Sequence, residues 1–240
     1  MTATPSSAHI PAASKGAAVE RIRPLRAVMA AVLVLGPLLF IVASAVSPYD
    51  MTEDKVAKIV SDIAANEGQE KAAAWVWLAL GIAMTAAALL VSVYVMARSP
   101  KLGLAGLLLF GGGAVAVNLA PSYDFVALAG LDKGVAQTEI VKVIKGGDSL
   151  AMPTVAGIWF IVGIVLGAIV LGIGLLRSHA VPAWAAWVLM VSMPLNVLGW
   201  FTGVAALAYA GFALLTVAFA VLALDIAHHG LGWVRAAGQG

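Results

Sequence analysis

Residues 183–224 read AWAAWVLMVSMPLNVLGWFTGVAALAYAGFALLTVAFAVLAL, without a single Asp, Glu, Lys, Arg or His. As one helix this stretch would run about 60 Å at 1.5 Å per residue, about twice the hydrocarbon thickness of a bilayer. It must cross and return. Gly199-Trp200-Phe201-Thr202-Gly203 supplies the turn, an interfacial tryptophan between two glycines.

The rest of the chain has the same character. Of its 240 residues, 62% are hydrophobic and 11% charged, and the mean hydropathy is +1.01. Soluble domains carry about 25% charged residues, and a soluble fold of this size could not hide so much apolar surface, because much of its area must still face water. Further apolar runs at 27–46, 72–97, 102–120 and 153–176 join 183–199 and 203–225 to give six expected spans. The expected fold is therefore an all-α integral membrane protein, a six-transmembrane helix bundle occupying residues 27–226. A disordered cytoplasmic tail rich in Ala, Ser, Thr and Pro precedes it at 1–26, ending in the basic cluster Arg21, Arg23 and Arg26, and a short cytoplasmic tail follows at 227–240.

Lys and Arg next to span ends set the orientation. One side receives Lys15, Arg21, Arg23, Arg26, Arg98, Lys101, Arg177 and Arg235, mostly beside span ends. The other receives six lysines spread through longer loops, together with all the acids except Glu20 and Asp225. Both termini are expected in the cytoplasm. Abundant alanine, valine, glycine and leucine with little lysine point to a GC-rich bacterial genome, and so to a multi-pass protein of the bacterial inner membrane. One alternative concerns the first span: arginines, an apolar run and Ala43-Ser44-Ala45 resemble a cleavable signal peptide, although the run exceeds the usual length.

Ser47-Pro48-Tyr49-Asp50 returns 74 positions later as Pro121-Ser122-Tyr123-Asp124, each after an apolar run and before a charged stretch. Sliding the chain by 74 also aligns Leu33 with Leu107 and Leu35 with Leu109. With a gap, Val56, Ile59 and Val60 align with Ile140, Val143 and Ile144. The simplest account is a repeated two-helix hairpin of span, external segment and span. Tyrosine anchors at headgroup level, and Asp50 with Glu53 three residues on forms a capping box. From there Val56, Ile59, Val60 and Ile63 share one face of an external amphipathic helix. In the second copy the charged helix is expected only over Gln137–Lys145, with Gly146-Gly147 ending it.

Several chemistries are excluded on sequence grounds. The chain has no Cys, which removes disulfides, thiolate metal sites and cysteine nucleophiles. The net charge of +2 and the absence of an aromatic-interleaved basic patch argue against nucleic acid. No Ser/His/Asp set, H-E-x-x-H or P-loop occurs, so no catalytic residue, cofactor or metal site is assigned. His9, His179, His228 and His229 fall outside the expected spans, as do all other ionisable residues except Asp225 at the inner end of the last. That argues against proton relays, ion-coupled carriers and haem between helices.

The polar residues left in or beside the spans define a candidate outer pocket. Asn118, Asn196 and Ser192 lie in the spans, with Pro194 bending the helix beside Asn196 and Pro37 bending the first span. Tyr49, Asp50, Tyr123 and Asp124 would join them, if the repeats bring two carboxylates together at an outer vestibule. The alternatives are plain: interhelical glue for the asparagines, anchor and cap for the Tyr–Asp pairs. Gly163-x-x-x-Gly167 serves close helix packing, inside the bundle or in a homodimer. The leading expectation is a non-enzymatic membrane component that binds or organises lipid or protein partners. Those partners are membrane lipids, a second copy of the chain or another membrane protein. A small transporter or channel for a weakly polar or cationic solute is the alternative, and a membrane enzyme the third.

Overall fold

Helix is the only regular secondary structure among the described residues of the computed structural model, which are 12–117 and 123–231, with side chains described from residue 24 onward and not for Val117. The elements are α1 (Ala12–Val46), α2 (Val56–Ala65), α3 (Glu67–Met96), α4 (Pro100–Gly106), a π-helical turn (Leu107–Gly111), α5 (Gly112–Val117), α6 (Tyr123–Asp132), α7 (Gln137–Asp148), α8 (Ala151–Ser178), α9 (Ala183–Thr202) and α10 (Ala205–His229). Because α1 starts at Ala12, helix extends into the tail expected to be unstructured; residues 1–11 lie outside the described residues.

Five helices are long and apolar enough to cross a membrane: Pro24–Val46 within α1, α3, α8, α9 and α10. The third expected span is different. Its described helix, Pro100–Ala116, is shorter, about 25 Å at 1.5 Å per residue, and its middle is wound as a π-turn. The long uncharged stretch does reverse where the glycines stand. Gly199 stays inside α9, and Gly203, at φ +69°, makes the turn alone before α10 begins. Only glycine adopts that backbone without strain.

The helices close a ring. α3 packs on α1, α1 on α10, α10 on α9 and α9 on α8; α8 packs along the α4–α5 segment, which returns to α3. Their shared core includes Leu33, Val91, Phe110, Leu171, Met193 and Phe219. Large apolar side chains such as Ile82, Leu108, Val155 and Leu224 point out of the bundle, as a hydrocarbon solvent permits. With no hydrophobic force between helices in lipid, close packing must hold them, and small residues allow it. A Cβ at Gly163 would lie 2.6 Å from the Leu109 carbonyl oxygen, and one at Gly167 2.5 Å from the Phe110 nitrogen. The Gly163–Gly167 pair therefore belongs to the interior of the bundle, where it seats α8 on the π-turn.

At one end of the ring lies a small second core. Val56, Ile59, Val60 and Ile63 of α2 pack against Ala127 of α6 and Ile140 and Ile144 of α7, so the amphipathic face of α2 is covered by protein. Val143, aligned with Ile59 in the repeat, is 63% exposed. Asp50 does not cap α2: its Oδ1 accepts from the Thr52 N–H (2.8 Å) and hydroxyl (2.7 Å), and the helix starts at Val56 after Lys55. A short acidic side chain bonds its own backbone two residues on more readily than it waits for a helix six residues away. The Thr52 N–H, and then its hydroxyl, hold the Asp50 carboxyl below the usual carboxylate range. α6 is a helix not expected from the sequence, and Gly146-Gly147 do not end α7, which runs on to Asp148.

Gly211→Ala should lower the stability against unfolding in detergent by about 1–3 kcal/mol, the usual cost of overpacking, because its Cβ would lie 2.5 Å from Asn196 Cβ and 2.7 Å from the Ser192 carbonyl oxygen. Gly157→Ala, with nothing within 4 Å, should leave it unchanged or raise it.

Candidate functional site

A cavity of about 1050 Å³ occupies the middle of the ring and reaches the end covered by α2, α6 and α7. Every packed segment contributes a wall: Phe40 from α1, Trp77 from α3, Phe110 from the π-turn, Phe160 from α8, Met193 from α9 and Phe212 from α10. Phe40 stacks on Phe212 with centroids 3.6 Å apart and meets Trp77 edge-on at 5.6 Å. The walls are apolar for a simple reason. Each helix is apolar on all sides, so the face turned inward is as greasy as the face turned to lipid.

The polar groups gather at the covered end. α1 ends at Val46, and the next residues are tied to the start of α3: Trp77 Nε1 donates to Ser47 Oγ (3.0 Å) and Gln69 Nε2 to the Val46 carbonyl (2.8 Å). This fixes Tyr49, whose hydroxyl donates to Asp124 Oδ1 at 2.5 Å. Tyr123 donates to Asp148 Oδ1 and Oδ2 at 3.1 and 3.0 Å. Tyr49, Tyr123, Asp124 and Asp148 all line the cavity. Burial, then the Asp124 carboxylate, push the Tyr49 hydroxyl well above its ordinary value. Burial and the bond to Asp148 push Tyr123 up to about 12.

Glu70 completes the group. In the first turn of α3, it is 0% exposed, and no hydrogen-bond donor reaches either of its carboxyl oxygens. What faces it is another carboxyl, that of Asp124. A carboxylate buried without a donor costs several kcal/mol. The sequence alone places Glu70 in an external loop, whereas α3 begins at Glu67, so a helix long and apolar enough to cross a membrane also carries this acid.

The other expected site residues are placed differently. Asn196 and Ser192 are buried but do not line the cavity. Asn196 Nδ2 donates to the Ala208 carbonyl on α10 (3.0 Å), and Ser192 Oγ to the Leu189 carbonyl within α9 (2.7 Å). Asn196 fastens α9 to α10 beside Gly211, while Ser192 satisfies itself within α9. Asp50 sits in its own turn, exposed, and does not line the cavity. Asn118 lies outside the described residues. The two carboxyls that meet are thus Asp124 and Glu70, not Asp124 and Asp50.

The opposite end is held by a second cluster. Asp225 accepts from the Tyr94 hydroxyl (2.6 Å), pairs with Arg98 (3.5 Å) and contacts His229 Nδ1 (2.7 Å), while the Arg98 guanidinium lies 3.7 Å from the Tyr94 ring centre. It joins the ends of α3 and α10. Among the described residues no group of three or more His, Asp or Glu is placed to hold a metal ion. No protein-family model, curated protein or solved structure matches the chain.

Tyr49→Phe, which removes a donor from the buried Asp124 carboxylate, should destabilise by about 1.5–3 kcal/mol, and Tyr123→Phe, at a more exposed bond, by less than about 1 kcal/mol. Guanidinium or thermal unfolding in a mild detergent measures both. A tyrosine whose pKa is raised by folding stabilises fully below its unfolded value near 10, and that contribution is lost as pH rises through the folded value. For Tyr123 the loss should fall between about 10 and about 12. Absorbance titration should show a tyrosinate step near that upper limit, missing in Tyr123→Phe.

Proposed function

We propose that the protein is a non-enzymatic, multi-pass membrane component that binds one amphipathic, lipid-like molecule, its chain among the aromatic walls and its headgroup at the polar end. The observation carrying this reading is the cavity of about 1050 Å³, walled by six packed segments and bordered by Tyr49, Tyr123, Asp124 and Asp148 at one end only. Ligand sites elsewhere combine an apolar concavity with a few convergent polar groups and reach about this size.

In this reading the chain crosses six times. The α4–α5 segment makes the third crossing, shielded by α8 and α3 as shorter, irregular helix must be at membrane depth. Both termini are then cytoplasmic in a bacterial inner membrane, and α2, α6 and α7 face outward. The contact of α2 with α7 through Val56, Ile59, Ile140 and Ile144, and the Tyr49–Asp124 bond between the two tetrapeptides, support an origin in repeated hairpins. A small transporter for a cationic solute is the second reading, favoured by the acids at the cavity mouth. Uptake of a cationic dye into proteoliposomes separates it from simple binding.

Native mass spectrometry of the protein extracted in a mild detergent tests the binding reading. The expected spectrum contains a species carrying one tightly held amphiphile. A bare chain under the gentlest activation would contradict it. The lack of native cysteine makes orientation equally accessible. Lys142→Cys, at an exposed side chain, should react with an impermeant maleimide on intact cells, and Pro100→Cys only after lysis.

A further inference from the structure

The hydroxyl groups that line the cavity have already spent their protons. Tyr49 donates to Asp124, Tyr123 to Asp148, and Thr154 Oγ1 to the Leu150 carbonyl (3.1 Å). A hydroxyl oxygen whose proton is committed can still accept. So can Asp148, exposed at the rim, whose two oxygens are bonded by the single Tyr123 hydroxyl. No lysine, arginine or histidine stands among the lining residues. The N-terminus of α6 also lies at the rim, and its first turn carries an acid of its own, Asp124, which is the charge a helix N-terminus favours. The rim therefore offers oxygen acceptors to whatever enters.

From this geometry we propose that the cavity takes an uncharged lipid with two acyl chains, of the diacylglycerol kind, whose headgroup hydroxyl donates to the rim oxygens. The inference rests on the amphiphile-binding reading and adds the number of chains and the headgroup class. Volume sets the number of chains. A methylene group takes up about as much room as a water molecule in the liquid, about 30 Å³. A cavity of about 1050 Å³ then holds about 35 of them, or two chains of about 17 carbons. The rim sets the headgroup. A phosphate would bring acceptor atoms to a rim of acceptors and lie beside Asp124 and Asp148 with no lining cation to receive it. A cationic headgroup would give up its water for carboxylates that tyrosines already hold, a loss that the new contact must first repay. A neutral hydroxyl brings the donor that the rim lacks, and costs far less to desolvate than an ion.

Four lipids built on the same dibromostearoyl chain test this: the diacylglycerol, the phosphatidate, the diacyl trimethylammonium-propane and the monoacylglycerol. The readout is bromine quenching of Trp77, which lines the cavity, taken as the difference between the protein and its Trp77→Phe variant in neutral maltoside micelles. Native mass spectrometry of the unaltered protein counts the lipids held. One diacylglycerol should bind per chain, about tenfold or more tighter than each of the other three, a margin of about 1.4 kcal/mol. Asp148→Lys, at an exposed position, places a cation at the rim and should raise the phosphatidate affinity by about tenfold or more. Phosphatidate or the cationic lipid binding as tightly as the diacylglycerol would overturn the headgroup class, as would a phosphatidate affinity that Asp148→Lys leaves unmoved. Monoacylglycerol binding as tightly, one per chain, would overturn the two-chain inference. Each of these results leaves the cavity reading standing. Failure of all four lipids to quench Trp77 would overturn the cavity reading and the inference together.

Discussion

Hydrocarbon donates no hydrogen bonds, and that single constraint organises the molecule. Each long helix satisfies its own backbone, and polar side chains within the bundle must find partners there. Asn196 reaches across to the Ala208 carbonyl, Ser92 and Ser192 bond back to their own helices, and the remaining polar groups are swept to the two ends. At one end Asp225, Tyr94, Arg98 and His229 satisfy one another. At the other, Tyr49 and Tyr123 each meet a carboxylate, but Glu70 finds only Asp124. Among the described residues, Glu70 is the buried acid whose carboxyl oxygens no donor reaches.

Packing decides why the space beneath is hollow. Helices in lipid gain little by excluding solvent from one another, so they close up where glycine lets backbones meet. Gly163 and Gly167 bring α8 onto the π-turn, and Gly211 brings α10 onto α9. Nearer the covered end the walls carry Phe40, Trp77, Phe160 and Trp200 instead, and rings hold the helices apart. The α2–α6–α7 core then lies over the opening, fastened through Tyr49 and Tyr123.

Much of this architecture was legible in the sequence because it rests on long-range absences. An uncharged run of 42 residues from Ala183 to Leu224 leaves a membrane hairpin as the answer, and the turn falls at Gly203. The α2 periodicity likewise marked a real buried face, since four apolar positions at helical spacing need a partner. The site was less legible because it depends on where helices begin. Glu70 looks like one more acid in a charged loop until α3 is seen to start at Glu67, and then helix geometry turns it inward. Asp50 looked like a cap because the spacing to Glu53 fits, yet the Thr52 hydroxyl and N–H offered a nearer bond. Gly146-Gly147 looked like a stop, whereas α7 continues through them and delivers Asp148 to Tyr123. Asn196 reads in the sequence as a polar residue within a span. That it serves α10, not a pocket, follows only from the approach at Gly211.

An experimental density map of the protein with the single-chain amphiphile 12-bromododecanol bound, with the bromine located by its anomalous scattering, tests the central claim most directly. The account predicts a bromine peak inside the ring, near Phe40, Met84 and Phe212. Bromine found only on the lipid-facing surface of the bundle, with the interior filled by side chains, would contradict it.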